Sequence, residues 1–248
     1  MSIFLGNTEL AAIYHGSSQI AEVYKGSTKL WPLGGGGGAV AFEGYASATT
    51  NSTSVTCNVP TEAVDGHFLL AIVSANAWLV ESDVTPPTGW TLIASNLYHP
   101  GAQARVAAYY RIADNEPASY SWTNALNMRV VATISAWSGV DGSSPVAAYS
   151  NTAYTTDDTT VQSASVTTTA ANQTVINAAV VFNSGAVTFT PPTNFSEHYE
   201  AGDTTSRQWV EISSYEYASA GPTGTIDVTA SISTTLKHGM AIAITNAS

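Results

Sequence analysis

The chain has 248 residues, only 10% of them charged, and its formal net charge is −11 at pH 7. This acidic balance repels phosphate backbones and anionic lipid headgroups, and no basic cluster interleaved with aromatic side chains is present. No apolar run approaches the roughly 18 residues that span a bilayer, so we expect neither nucleic-acid binding nor membrane insertion.

Covalent and targeting features are few. Cys57 is the single cysteine, which excludes an intrachain disulfide and a cysteine-rich zinc site. The first residues lack a basic segment, a long apolar segment and a small-residue cleavage site, so no secretory signal is expected. We therefore expect synthesis in a cytoplasm and a fold held by packing and strand pairing.

The first 33 residues contain three copies of a ten-residue repeat, at residues 3–10, 13–20 and 23–31. Each copy places a β-branched residue beside an aromatic one and then a glycine followed by small polar residues. This order predicts a short strand entering a tight turn, and hence a small ribbon of β-hairpins. Its aromatic and turn residues are Phe4, Gly6, Tyr14, Gly16, Tyr24, Gly26 and Trp31.

A ribbon of this size needs a surface to dock on, because isolated hairpins are only marginally stable in water. The partner is either another protein or the rest of the same chain. Residues 34–39 are almost entirely glycine, and such a sequence has the conformational freedom of a linker. We interpret residues 1–33 as an attachment segment and 34–39 as the domain boundary.

Beyond the linker, residues 40–248 show the alternation of β-strands. Val106, Ala108, Tyr110 and Ile112 form one apolar face, and Val130, Ala132, Ile134 and Ala136 form another. Continuous apolar runs at residues 68–73 and 175–182 predict buried central strands. No stretch has helical periodicity with caps. We expect Trp90, Trp137 and Tyr110 to lie in the core.

A longer repeat divides this body into residues of about 40–145 and 146–248. Thr85-Pro86-Pro87-Thr88-Gly89-Trp90 resembles Thr190-Pro191-Pro192-Thr193-Asn194-Phe195, an offset of 105 positions. The same offset places Tyr110 on Tyr215 and Ala113 on Ala218. An internal duplication follows, with two halves that interleave into one two-sheet sandwich.

These motifs resemble a repetitive β-sandwich module of bacteriophage and bacterial surface proteins. The motifs that carry the resemblance are residues 85–93, Tyr110-Arg111-Ile112-Ala113, residues 116–120 and Trp137-Ser138-Gly139-Val140-Asp141. The decapeptides resemble the N-terminal segments of phage tail-associated proteins. The resemblance implies a virion structural protein with a jelly-roll or lectin-like antiparallel β-sandwich. The second half departs from the pattern where Asn194 and Phe195 replace Gly89 and Trp90.

Catalytic and metal-binding patterns are absent from the sequence. The five histidines form no HxH or HExxH motif, and no nucleophile elbow or phosphate loop is found. The acidic pairs Asp157-Asp158 and Glu197/Glu200 leave glycoside hydrolysis as an alternative, although solvated turn acids are commoner. Asp141 favours turn capping over calcium binding. We therefore expect no enzyme activity, cofactor or metal.

Aromatic side chains beside turns are the remaining candidates for ligand contact, because sugar faces stack on aromatic rings. Trp78, Tyr98 and His99 lie in predicted loops and are the candidate ligand-binding residues. Two functions follow from the resemblance: a tail-associated protein that binds host-surface glycans, or a capsid decoration protein without a receptor role. Both imply other virion proteins as partners of residues 1–33, a virion location and a homo-oligomer.

Overall fold

The computed structural model describes residues 39–76, 84–99, 104–154 and 156–247 and, before residue 32, the backbone of six short strands. These are β1 (Phe4–Leu5), β2 (Thr8–Glu9), β3 (Tyr14–His15), β4 (Ser18–Gln19), β5 (Val23–Lys25) and β6 (Thr28–Trp31). They pair antiparallel as three hairpins, which confirms the predicted hairpins at the level of the backbone. Gly6, Gly16, Gly26 and the linker glycines lie outside the described residues.

The body of the chain is built from strands of very different length. They are β7 (Ala41–Asn58), β8 (Phe68–Asn76), β9 (Thr91–His99), β10 (Ala104–Ile112), β11 (Ser119–Ser138), β12 (Val146–Tyr154), β13 (Asp158–Ser163), β14 (Thr167–Thr168), β15 (Gln173–Phe182), β16 (Phe189–Thr190), β17 (Ser196–Gly202), β18 (Gln208–Tyr217), β19 (Gly221–Pro222), β20 (Ile226–Thr234) and β21 (Lys237–Ile244). The described residues contain no helix, so the predicted all-β class is confirmed.

Two five-stranded antiparallel sheets dominate the body, one from each half. Their strand orders are β7-β11-β8-β10-β9 and β12-β21-β15-β18-β17. β8 and β15 are the central strands, and every residue of both is buried, as their apolar runs predict. Within these sheets, pairing stays inside each half. The halves therefore associate by packing their sheets and do not exchange strands.

Each large sheet carries a narrower β layer on its outer face. In the first half, the far ends of β7 and β11 form this layer, and their residues Val55 and Trp122 share a buried cluster with Leu69 of β8. In the second half, the sheet β13-β20-β16 covers β15, where Val161 and Val181 share a cluster. Within the described part of residues 39–247, these four β layers are stacked, and the two large sheets form the centre.

The central core lies between the two large sheets and joins the halves. Phe68, Leu70 and Ile72 of β8 belong to the same buried cluster as Ile176 and Val180 of β15. Full burial of one such side chain contributes about 1.5–3 kcal/mol, so this core supplies most of the association energy. The alternating faces predicted for β10 and β11 are confirmed. Val106, Ala108, Tyr110 and Ile112 pack on this core, whereas Val130, Ala132, Ile134 and Ala136 pack on the outer one.

Hydrogen bonds between the halves fix how the sheets are aligned. The Ser74 hydroxyl donates to Gln208 Oε1 at 2.7 Å, and the Tyr199 hydroxyl donates to Thr133 Oγ1 at 3.1 Å. All four residues are buried, where hydrogen-bond partners are needed to offset desolvation. These bonds select one arrangement of two sheets whose apolar faces are otherwise not directional.

The repeated Thr-Pro-Pro-Thr motif forms the same turn in both halves. Trp90 N donates to Pro87 O, and Phe195 N donates to Pro192 O. The residue before each donor has positive φ, +88° at Gly89 and +79° at Asn194. A turn of this kind accepts glycine or asparagine at that position, which explains why the second copy has Asn194 in place of Gly89. Trp90 and Trp137 are buried, as predicted.

Between β10 and β18, the structural equivalence of the two halves differs by one residue from the sequence alignment. The alignment of Tyr110 with Tyr215 is therefore wrong. Tyr110 faces the central core and stacks on Phe68, whereas Tyr215 faces outward and packs on Phe195. Ser214 holds the place of Tyr110, because Tyr110 pairs with the first residue of β9 and Ser214 with the first residue of β17. A slip of one position moves every side chain of a strand to its other face.

Candidate functional site

The ligand-binding residues predicted from sequence cannot be placed as a site. Trp78 lies outside the described residues. Tyr98 and His99 are the last two residues of β9. Only their backbone is described, and their side chains lie outside the described part. The attachment residues Phe4, Tyr14, Tyr24 and Trp31 are described as strand backbone only. Both sets therefore stay predictions.

The described residues form two grooves along the seam between the large sheets. The first seam groove lies where β9 and β12 meet and has a volume of about 470 Å³. Its lining residues are Thr91, Leu92, Ile93, Tyr110, Val146, Ala147, Ala148 and Tyr149. The second seam groove lies beside β7, β17 and β18, with about 380 Å³. It is lined by Val40, Ala41, Phe42, Thr174, Asn194, Ser196, His198, Ser214, Tyr215 and Glu216.

The two grooves occupy equivalent places in the two halves. Thr91 and Ser196 begin their edge strands and pair with Tyr110 and Ser214, respectively. A β-bulge follows in each edge strand, at Ile93 in the first half and at His198 in the second. A bulge turns a side chain away from its regular direction. Both grooves therefore arise from the same backbone design.

Their chemistry has diverged. Ile93 and Tyr110 of the first groove are replaced by His198 and Ser214 in the second, so an apolar surface becomes a polar one. Leu92 and Tyr149 at the first groove are about half exposed, at 51% and 53%. The second groove instead collects hydroxyl, amide, imidazole and carboxylate groups, which are the groups that orient a polar ligand.

His198 is the central polar side chain of the second groove. Its imidazole stacks on Phe42 with 4.5 Å between ring centroids and meets the edge of Trp137 at 5.0 Å. Its Nε2 lies 2.8 Å from Ser214 Oγ. Burial against these rings lowers the pKa of His198 to about 4. The imidazole is therefore neutral at physiological pH, and it holds the Ser214 hydroxyl in place.

Thr174 lies at the floor of the second groove, on the central strand β15. It is 3% exposed, and its Oγ1 has no hydrogen-bond partner within the described part of the chain. A buried hydroxyl without a partner costs about 1–3 kcal/mol. Thr174 thus presents unused hydrogen-bonding capacity beneath the groove.

The rim of the second groove is more exposed and carries one charge. Ser196 and Glu216 are exposed. Asn194 belongs to the repeated turn, at the position that Gly89 occupies in the first half. The positive φ at this turn permits asparagine, so the duplicated turn adds an amide where the first half has none. Glu216 gives the rim a negative charge. The groove therefore favours ligands that are polar and not anionic.

The His198–Ser214 pair has the spacing of a base and a nucleophile, but its electronic state does not suit catalysis. A general base is most effective when its pKa is near the working pH. The pKa of His198 is lowered to about 4, and aromatic rings flank the imidazole. A triad needs a third group that orients the base and stabilises its charged form. The geometry favours binding over acyl transfer.

Four of the acidic residues considered for hydrolysis or calcium binding have structural partners. Asp158 pairs with Lys237, Asp157 accepts a hydrogen bond from Ser233, and Glu200 accepts one from Phe189 N. Asp141 accepts bonds from the backbone and side chain of Ser143, which confirms the predicted turn capping. The described residues contain no cluster of three or more His, Cys, Asp or Glu residues suited to a metal ion.

Sequence reasoning missed His198, Ser214 and Thr174 as site residues. His198 and Ser214 lie 16 positions apart on neighbouring strands, and no short motif links them. The available signal is the comparison of the two copies, in which the polar residues of the second replace apolar ones of the first. That comparison matches Tyr110 with Ser214 only after the one-residue shift at β18 is known.

Comparison of the chain with known protein families, curated proteins and solved structures finds no match. Within the described ranges, no helix is long and apolar enough to cross a bilayer.

Proposed function

We propose that this chain is a bacteriophage virion protein that is attached through residues 1–33 and displays its β body to bind host-surface carbohydrate. The observation that carries the binding role is the second seam groove, in which hydroxyl, amide and imidazole groups line a concavity bordered by the ring of Phe42. Sugars offer hydroxyls for such polar groups and C–H faces for aromatic rings.

The attachment role is supported by the sequence of residues 1–33 and by the linker that follows. The repeated hairpins are too small to be stable alone, and copies of one chain on a symmetric particle gain avidity from many weak contacts. The low charge and hydroxyl-rich composition of the body are compatible with a displayed surface.

The binding role is tested by screening the purified full-length chain against a glycan array and against host cells. Saturable binding is the expected result. A Trp78→Ala variant, measured in parallel, separates the predicted loop residues from the seam groove. Absence of binding to every glycan and cell tested contradicts the receptor role and favours a decoration protein.

The attachment role is tested separately with the full-length chain carrying Gly6→Val, Gly16→Val and Gly26→Val. Valine disfavours the positive φ that these predicted turns need. We expect loss of incorporation into particles with an unchanged unfolding temperature of the body. Normal incorporation of this variant contradicts the anchor.

A further inference from the structure

We propose that the second seam groove is the sugar site of this chain and that it takes an uncharged pyranose, with Ser214 and Thr174 as its selecting hydroxyls. This inference rests on the proposed carbohydrate-binding function and assigns it a site and a ligand class. The volume of the second seam groove, about 380 Å³, falls at the lower end of the range of small-molecule sites, about 300–1,000 Å³. The groove therefore suits one or two sugar rings.

The hydrogen-bonding state of the groove matches a ligand that both donates and accepts. A neutral imidazole has one donor nitrogen and one acceptor nitrogen. If His198 Nε2 donates to Ser214 Oγ, the hydroxyl hydrogen of Ser214 is free to donate to the ligand. If Nε2 instead accepts that hydrogen, a lone pair of Ser214 Oγ is free to accept from the ligand. A sugar hydroxyl satisfies either arrangement, whereas a carboxylate only accepts and an ammonium only donates.

Thr174 gives the second, independent argument. Its hydroxyl is buried beneath the groove without a partner in the described structure. Burial of such a group is unfavourable unless a hydrogen bond offsets it. A hydroxyl that enters the groove from solvent supplies this bond.

Charge excludes acidic sugars. Glu216 lies on the rim, and the chain as a whole carries −11. A uronic acid, a sialic acid or a phosphorylated sugar would place its own negative charge beside the Glu216 carboxylate. Like charges at close range are repulsive. Uncharged hexoses and deoxyhexoses avoid this cost.

The first seam groove is an internal control. It has the same backbone frame but offers Ile93 and Tyr110 where the second groove has His198 and Ser214. Thr91 remains as a hydroxyl at the rim. The inference therefore assigns pyranose binding to the second groove alone.

The experiment measures binding of the full-length chain to methyl glycosides of glucose, galactose, mannose and rhamnose, and to those of glucuronic and galacturonic acid. Calorimetry or saturation-transfer NMR gives the affinities. We expect binding of at least one neutral glycoside and at least tenfold weaker binding of a uronate. A uronate that binds as tightly as its neutral counterpart overturns the assignment of ligand class.

Thr174→Val and Ser214→Ala then test the site. Valine keeps the shape of threonine and removes only the hydroxyl, so the unfolding temperature should not fall. Loss of one neutral hydrogen bond corresponds to about a 3- to 10-fold weaker affinity for each variant. Thr91→Val in the first groove is the matched control and should leave the affinity unchanged.

The outcomes separate this inference from the proposed function. Glycan binding by the wild-type chain that neither Thr174→Val nor Ser214→Ala weakens overturns the groove assignment and leaves the carbohydrate function standing. Absence of any glycan binding by the wild-type chain contradicts the function itself. As a direct readout, the His198 Cε1–H NMR signal should shift on addition of a bound glycoside, and an unmoved signal counts against the groove.

Discussion

Replacement of Glu211 by glutamine should stabilise the protein increasingly as the pH rises. Glu211 lies on the outer face of β18, fully buried, and pairs across the strands with Glu200 of β17 and Ala179 of β15. Ser213 is the nearby hydroxyl that favours its charged form, but no described group completes a hydrogen bond to either carboxylate oxygen. Burial is the main cause that raises the pKa of Glu211, to about 8.

The sign and size of the effect follow from proton linkage. The unfolded chain releases this proton near pH 4.5, whereas the folded chain keeps it until about pH 8. Between these values the folded state binds more protons, so the free energy of unfolding decreases as the pH rises. One pKa unit corresponds to about 1.4 kcal/mol, which gives a loss of up to about 5 kcal/mol by pH 8 and about 3 kcal/mol by pH 7.

Urea unfolding of wild type and Glu211→Gln at pH 4.5, 6, 7 and 8.5 measures this difference. Glutamine has the same shape and no proton to lose, so the stability gained by the variant should grow with pH and level off above pH 8. Glu216→Gln, an exposed site on the same strand, controls for the removal of one negative charge. A stability difference that is constant from pH 4.5 to 8.5 would refute the reasoning.

Three further predictions concern buried groups. Burial lowers the pKa of His238 to about 3. Because an unfolded histidine protonates near pH 6.5, the free energy of unfolding should fall as the pH drops from about 6.5 towards 3. Calorimetry should show a shallower fall in the His238→Gln variant. An equal slope in both proteins would argue against this cause. Gly239→Ala should destabilise the protein by roughly 2 kcal/mol or more, because its Cβ would overlap the backbone oxygen of Gln162; a variant with unchanged urea midpoint would contradict this. Cys57 is buried and its thiol pKa is raised to about 12, so a thiol reagent should react only after unfolding, and rapid labelling of the native chain is the opposing result.

Local sequence patterns determined the fold class and the elements that carry the core. The apolar runs of β8 and β15 and the alternation in β10 and β11 identify strands and their buried faces, because side chains alternate across a strand whatever lies beyond it. The repeated turn also follows from sequence, since only residues that tolerate positive φ suit the positions of Gly89 and Asn194.

The candidate site depended on the tertiary structure. His198 stacks on Phe42, which the first half contributes, while Ser214 and Thr174 come from neighbouring strands of the second. Strand pairing sets which residues are neighbours, and the single-residue shift at β18 reverses which side chains face the seam.

The sequence by itself thus determined an all-β chain with hairpins at its start and two similar halves, because periodicity and turn chemistry are local. The packing of one sheet on the other decided the seam grooves and the burial of Glu211. Such contacts join residues that are far apart in the chain, and their geometry depends on register and bulges, which composition and periodicity do not specify.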